Sequence, residues 1–85
     1  MNPPSPIRIF CVDDHPLVHE GLATVINNQS DMSLVAQAFN GREAVQKYSE
    51  HNPDVTLLDL RLPDMSGIDA MIAIRTSFPE ARISI

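Results

Sequence analysis

The stretch that decides the fold is DVTLLDLRLPDMSG, residues 54–67. It opens with an apolar run, passes through Asp59, and continues into a loop that contains Pro63 and Gly67. A short apolar run bounded by polar residues predicts a strand buried on both faces, and such strands are typical of parallel sheets. We therefore expect a buried strand over residues 54–60, with an aspartate near its carboxyl end.

Similar apolar runs occur on both sides of this strand. Residues 7–12 and 32–39 predict two earlier strands, and residues 81–85 predict the start of a fourth. Between them lie three segments whose apolar spacing is typical of helices: residues 16–27, residues 41–50 and residues 68–77. Strands that alternate with helices of about ten residues imply parallel pairing and right-handed crossovers. The predicted fold is therefore an α/β open parallel sheet with the order β-α-β-α-β-α-β.

Two of the helices have predicted inner faces. In the first, five apolar residues share the spacing of one helix face: Leu17, Val18, Leu22, Val25 and Ile26. In the second, the inner face is formed by Ala44, Val45 and Tyr48. Asn40 is placed to cap the second helix, with Glu43 placed to reach back.

The composition excludes several classes of protein. With 85 residues the chain forms one domain at most, and 44% hydrophobic with 20% charged residues is ordinary for a globular protein. Cys11 is the only cysteine, which fits a reducing compartment and a small core residue. No apolar run approaches the ~20 residues of a membrane span, and residues 1–6 lack the features of a signal peptide. We expect a cytoplasmic protein with a flexible lead-in over residues 1–6 and one domain over residues 7–85.

The net charge of −5 and the absence of a basic stripe indicate that this segment does not contact nucleic acid directly. Its acidic residues are more informative. Asp13 and Asp14 follow the first predicted strand, and Asp59 lies near the end of the third. Ligand sites of open parallel sheets form at the carboxyl ends of the strands, so neighbouring first and third strands would bring three carboxylates together.

Crowded carboxylates repel one another, and a divalent cation removes that penalty. Oxygen ligands suit Mg²⁺, so the pattern favours a metal-assisted phosphoryl site in which one carboxylate is the nucleophile. The competing interpretation is structural, because aspartates at strand ends often form turns or cap helices. Position alone leaves both interpretations open.

Two motifs resemble those of response-regulator receiver domains, the CheY-like superfamily. IFCVDDHP, residues 9–16, resembles the opening of these domains, and together with Gly21 and Leu22 it resembles the subfamily that carries a C-terminal LuxR-type helix-turn-helix. Residues 54–67 resemble the phosphoacceptor strand and its loop, with proline four and glycine eight residues after the aspartate. The resemblance covers residues 7–85.

The resemblance implies a role for each acidic residue. Asp59 would accept a phosphoryl group from a phosphohistidine of a sensor histidine kinase. Asp14 would bind Mg²⁺ directly, Asp13 would act through a water molecule, Asp59 would be a further ligand, and the backbone carbonyl of Arg61 would be the remaining protein ligand. Gly67 would allow close packing at the start of the third helix. The chain would be a signalling module rather than an enzyme, and any DNA contact would belong to a separate C-terminal domain.

The sequence also departs from the family pattern, which has five strands with a serine or threonine after the fourth and a lysine after the fifth. This sequence stops within the fourth strand, where Ser84 is too early to be the switch hydroxyl, and its only lysine, Lys47, lies in the second helix. We therefore expect a truncated receiver domain with impaired phosphoryl transfer. Because bare apolar surfaces and strand edges favour association, we also expect a homodimer or an oligomer formed by element exchange.

Two alternatives remain open. One is a structural or oligomerisation module with a vestigial acidic pocket. The other is an Mg²⁺-dependent phosphotransferase or phosphatase of the haloacid-dehalogenase type, which places a second aspartate two residues after the nucleophile. Arg61 occupies that position here and argues against it. Three histidines are expected to play no part in the site, as an exposed loop residue and two solvated side chains: His15, His19 and His51.

Overall fold

The computed structural model describes residues 5–85, so most of the lead-in expected over residues 1–6 lies outside the described residues. The elements in chain order are β1 (Ile7–Val12), α1 (Pro16–Asn27), β2 (Met32–Ala38), α2 (Gly41–His51), β3 (Val55–Leu58), α3 (Gly67–Ser77) and β4 (Ile83–Ser84). They form one sheet with the strand order β2-β1-β3-β4, and all three pairings are parallel. The predicted α/β class and element order are confirmed, and the first and third strands are neighbours, as the convergence of the three carboxylates requires.

The last two strands are shorter than predicted. β3 begins at Val55, although the Asp54 N–H donates to the Arg8 carbonyl at 2.8 Å and the Asp54 carboxylate accepts from the Arg8 N–H. β3 ends at Leu58, and after the Asp59 N–H has bonded the Val12 carbonyl the chain leaves the sheet towards α3. Before β4, the Ala81 N–H donates to the Phe78 carbonyl and not to a neighbouring strand. Before β4, a local turn bond therefore replaces the ladder bond that apolar composition alone would predict.

The main core lies between one face of the sheet and the helices α2 and α3. Its buried members are Phe10, Val12, Ala38, Ala44, Tyr48, Leu58, Ala70, Ile74 and Ala81. Ile9 and Cys11 are buried outside this cluster, so β1 is covered on both faces. In α2, Ala44 and Tyr48 are buried and Val45 is half-buried, which confirms the predicted inner face.

Helix α1 is rotated away from its predicted orientation. Of its five apolar residues only Ile26 is buried, whereas Leu17 is 79% and Val25 is 59% exposed. His19, which was expected to be solvated, is only 3% exposed, so that prediction is wrong. At about 100° per residue the five apolar side chains span roughly half of the helix circumference. Only one edge of that wide arc faces the sheet, and His19 lies beside that edge.

The helix caps fix the starts of α2 and α3. Asn40 Oδ1 accepts a hydrogen bond from the Glu43 N–H at 2.8 Å. Glu43 reaches back as predicted, but its Oε2 accepts from the Asn40 side-chain amide at 2.9 Å. Ser66 caps α3 in the same way, by accepting from the Asp69 N–H. Among the described residues, no helix is long and apolar enough to cross a membrane.

Candidate acidic site

The site lies where β1 and β3 end side by side. Val12 is paired with Leu58 in the parallel register, so the residues that follow these two strands are neighbours in space. The Asp59 N–H donates to the Val12 carbonyl at 2.9 Å, which extends the pairing by one more residue. This pairing places Asp59 beside Asp13 and Asp14, at the strand ends from which the sequence predicted a site.

Four side chains converge there. Asp13, Asp14, His15 and Asp59 each offer one ligand atom, and these atoms all lie within 4.8 Å of one another. The three aspartates are half-buried and His15 is exposed. Separated carboxylates would interact with water, but carboxylates at this spacing repel one another unless a cation or a proton lies between them.

The oxygen atoms of the cluster fit a hard divalent cation. Asp14 Oδ1 is buried and has no hydrogen-bond partner among residues 5–85. A ring nitrogen of His15 lies 3.0 Å away, but its hydrogen bond goes to Asp13 Oδ1 at 2.7 Å. Asp14 Oδ1 has therefore lost water and gained only a share of the His15 ring nitrogen, which costs free energy, and a cation is the ligand that would satisfy it. Carboxylate and carbonyl oxygens are the atoms that Mg²⁺ prefers.

The structural interpretation of these aspartates holds only in part. Asp13 Oδ1 accepts from the His15 backbone N–H at 2.8 Å, which is a turn contact. The residue that caps α1 is His15, and its side chain makes no capping bond. Asp59 Oδ1 receives only a 3.4 Å contact from the Arg61 N–H. Turn formation therefore accounts for Asp13, whereas neither turn formation nor capping accounts for the placement of Asp14.

His15 is exposed, as expected, but it does not stand apart from the acidic cluster. Its side chain is 66% exposed and its ring turns back onto Asp13 and Asp14. The hydrogen bond to Asp13 and the negative charge of Asp14 raise the pKa of His15 above its usual value. Sequence spacing missed this contact because side chains two residues apart, such as Asp13 and His15, meet only where the backbone turns between them.

Two further contacts shape the loop between β3 and α3. A Cβ atom on Gly67 would overlap the carbonyl oxygen of Asp59, so only glycine lets the start of α3 lie this close to the acidic site. This confirms the predicted packing role of Gly67. The Asp64 carboxylate accepts hydrogen bonds from the N–H groups of Gly41 and Arg42 at 2.8 and 3.0 Å. These bonds lower the pKa of Asp64 and tie the loop to the start of α2.

Sequence reasoning missed the role of Asp64, because its partners lie more than 20 residues away in the chain and no local pattern links them.

Lys47 lies where the sequence placed it, in α2, and its Nζ donates to the Gln37 carbonyl at 2.7 Å. Burial raises the pKa of the Cys11 thiol to about 11, with the Asp13 charge contributing. Cys11 is thus an inert core residue, as predicted.

Comparison with known proteins agrees with this architecture. Residues 9–85 match the family model of the response regulator receiver domain. The oxygen regulatory protein NreC of Staphylococcus epidermidis is 46% identical over 80 residues, which cover 93% of this chain and 37% of that protein. The chain therefore spans little more than a third of the length of the curated relatives that it matches.

Solved structures give the same result. A LuxR-family two-component response regulator from an Aurantimonas species is 42% identical with a TM-score of 0.87, and the match covers 93% of this chain and 56% of that one. The response regulator domain of Thermotoga maritima CheB is 37% identical with a TM-score of 0.87, and the match covers 92% and 57% of the two chains. The family match, the sheet order and the converging carboxylates lead to one conclusion: this chain belongs to the receiver-domain family of two-component response regulators.

Proposed function

We propose that this chain is a phosphoacceptor module in which Asp59 receives a phosphoryl group from a sensor histidine kinase with the help of Mg²⁺. The observation that carries the proposal is the convergence of ligand atoms from Asp13, Asp14 and Asp59 within 4.8 Å at the ends of two paired strands. The buried oxygen of Asp14, which forms no hydrogen bond with the described residues, supports a cation at this place. Family membership supports the reaction class.

In this proposal, Asp14 would bind the ion directly, Asp13 would act through a water molecule, and Asp59 and the backbone carbonyl of Arg61 would complete the protein ligands. When bound, Mg²⁺ screens the negative charge between the carboxylates and the incoming phosphoryl oxygens. Asp59 is suited to be the nucleophile because its Oδ1 has only a 3.4 Å contact, which is long for a hydrogen bond. Attack by this oxygen on phosphorus forms an acyl phosphate and breaks the phosphorus–nitrogen bond to the histidine.

We also propose that the 85-residue polypeptide by itself is phosphorylated slowly. Its only lysine, Lys47, is held by the Gln37 carbonyl and lies 3.7 Å from Glu43, so it is not available to the phosphoryl group. The family pattern supplies a lysine for this contact, and removing one electrostatic contact to the reacting group of an enzyme typically lowers the rate about 10²- to 10³-fold. Transfer from a small phosphodonor would therefore be slow, while binding of Mg²⁺ would be retained.

The test is the intact mass of the polypeptide after incubation with acetyl phosphate and Mg²⁺. Asp59→Asn removes the proposed acceptor, and Asp69→Asn is the matched control because Asp69 is an exposed aspartate of α3 outside the cluster. We expect one phosphoryl group on the parent and on Asp69→Asn, and none on Asp59→Asn. Equal labelling of Asp59→Asn would exclude Asp59 as the acceptor.

A second candidate function, an assembly module, is favoured by the exposed apolar residues of α1. Leu17 is 79% and Val25 is 59% exposed. A groove of about 220 Å³ beside α1 is lined by apolar residues such as Leu57 and Ile85, and also by Asp13 and Asp59 of the acidic site. Large exposed apolar patches mark association sites. We propose that the polypeptide forms a homodimer through this face. Sedimentation of the parent beside Leu17→Glu tests this, since a monomeric parent would contradict the proposal.

The remaining proposals concern the cellular setting. A receiver module that exchanges phosphoryl groups with a kinase domain would act in the cytoplasm. Transcriptional output, as in the LuxR-family regulators that this chain resembles, would belong to a part of the protein outside residues 1–85. The net charge of −5 does not favour DNA contact by this segment. Electrophoretic mobility of a DNA fragment in the presence of the 85-residue chain should therefore be unchanged.

A further inference from the structure

His19 is a buried histidine that the proposed phosphoryl chemistry does not use. It lies in α1 with 3% of its surface exposed, and its ring packs against Phe39 with the ring centroids 4.4 Å apart. Its Nε2 lies 2.7 Å from the backbone carbonyl oxygen of Asp13. A buried polar side chain in direct contact with the backbone of an acidic-site residue needs a reason beyond filling space, since an apolar residue would fill the same space without desolvation cost.

The hydrogen bond fixes the state of the ring. The Asp13 carbonyl oxygen can only accept, so Nε2 must carry the proton that is donated. The other ring nitrogen, Nδ1, is buried and has no hydrogen-bond partner in the part of the chain that the structure describes. The ring of His19 is therefore oriented by a single polar contact, and that contact is to Asp13.

The contact holds one particular peptide group. The Asp13 N–H donates to the Ala38 carbonyl at 3.0 Å, while its own carbonyl accepts from His19. Because the peptide unit is planar, fixing the carbonyl of Asp13 also fixes the N–H and the Cα of Asp14. Asp14 supplies the buried, unpartnered oxygen of the cluster. The direction in which Asp14 enters the site thus depends on the peptide that His19 holds.

We propose that His19 is a positioning residue of the acidic site: its Nε2–H holds the Asp13–Asp14 peptide so that both carboxylates face Asp59. The arrangement of the carboxylates follows from the contacts alone, and the consequence for Mg²⁺ rests on the proposed function. Groups that orient metal ligands without touching the metal typically change metal affinity about 10- to 100-fold when they are removed.

Three substitutions separate donation from packing. In His19→Gln, the side-chain amide nitrogen reaches about as far as Nε2 and can still donate to the Asp13 carbonyl. In His19→Asn, the amide reaches only the position of Nδ1. His19→Leu keeps a bulky apolar side chain and has no donor. Phe39→Leu is the packing control, because it removes the aromatic contact and leaves the hydrogen bond in place.

The first measurement is the dissociation constant of Mg²⁺ by calorimetry on the full 85-residue chain, with urea unfolding of each variant for stability. We expect the dissociation constant to rise about tenfold in His19→Asn and His19→Leu, the lower end of the range for outer ligand partners. His19→Gln and Phe39→Leu should bind Mg²⁺ like the parent, even though Phe39→Leu is less stable. Parent-like affinity in His19→Leu, or losses that simply follow stability across all four variants, would overturn the proposal.

The second measurement needs no metal. In ¹⁵N-resolved NMR spectra of the metal-free parent, the His19 ring should be an Nε2–H tautomer with a slowly exchanging proton. The Asp14 amide signal should shift in His19→Leu and His19→Asn and stay in place in His19→Gln. An Nδ1–H tautomer in the parent would contradict the proposal even if no variant folded. If the parent shows the expected spectra and does not bind Mg²⁺, then the proposed metal function fails and the positioning role stands.

Discussion

Replacement of Gly67 by alanine tests how tightly the phosphoacceptor strand and α3 are packed. A Cβ atom at this position would overlap the carbonyl oxygen of Asp59 and lie 3.0 Å from both the Asp59 carbonyl carbon and Leu60 Cα. All three neighbours are backbone atoms, so no side-chain rotation can relieve the overlap. The Gly67 N–H also donates to the Leu60 carbonyl at 2.7 Å, which holds the two segments together.

The size of the effect follows from these contacts. Atoms in favourable contact lie about 3.5 Å apart, and the overlap with the Asp59 oxygen is the largest of the three, so the start of α3 must move away from Asp59 by about 1 Å. Overpacking of this kind costs about 1–3 kcal/mol, and weakening the bond to Leu60 adds about 0.5–1.5 kcal/mol. Alanine recovers up to about 1 kcal/mol of helix propensity. We expect Gly67→Ala to lower the free energy of unfolding by about 2 kcal/mol.

The assay is urea unfolding followed by circular dichroism, and the other two glycines are its controls. Nothing lies within 4 Å of a Cβ atom on Gly21, so Gly21→Ala should be neutral or more stable by up to about 1 kcal/mol. A Cβ atom on Gly41 would meet only the end of the flexible Met65 side chain, which can move aside. Gly41→Ala should therefore fall between the other two. A Gly67→Ala protein as stable as Gly21→Ala would refute this account of the packing.

Three further predictions concern titration and reactivity. Hydrogen bonds from two α2 backbone N–H groups lower the pKa of Asp64. The stabilisation from these bonds is present above the unfolded pKa of 3.8 and is lost as the pH falls through the lower folded pKa. The free energy of unfolding should therefore fall less steeply at acidic pH in Asp64→Asn than in the parent. The pKa of His15 is raised from 6.5 by its hydrogen bond to Asp13 and by the Asp14 charge, so the stabilisation is complete below pH 6.5 and is lost as the pH rises through the folded pKa. NMR titration of the metal-free protein should give a His15 pKa above 6.5 in the parent and a pKa closer to 6.5 in Asp13→Asn. An unchanged His15 pKa in Asp13→Asn would contradict the contact. Cys11 is 2% exposed with a pKa raised to about 11, so a thiol reagent at neutral pH should label the folded protein far more slowly than the urea-unfolded one.

The sequence by itself determined the order of the elements and the place of the acidic residues. The bounds of β1 and α1 agree with the prediction because a run of apolar residues and a proline in the first helical turn are local signals. Alternation of strands and helices implied a parallel sheet, and the ends of parallel strands meet at one edge. The position of Asp13, Asp14 and Asp59 at that edge therefore followed from local pattern and connectivity, and the adjacency of β1 and β3 in the sheet then brings them to one site.

Only the tertiary structure decided which side chains face each other. The apolar residues of α1 cover a wide arc, so their spacing could not show that Leu17 and Val25 lie outside and that His19 lies inside. Rotation of α1 is fixed by its contacts with the sheet and with the Asp13 carbonyl, and the anchoring of Asp64 to the start of α2 joins segments more than 20 residues apart. Periodicity indicates which residues of one segment share a face. The hydrogen-bond partner of a polar side chain often lies in a segment that is distant in the chain, so these partners became visible only in the folded structure.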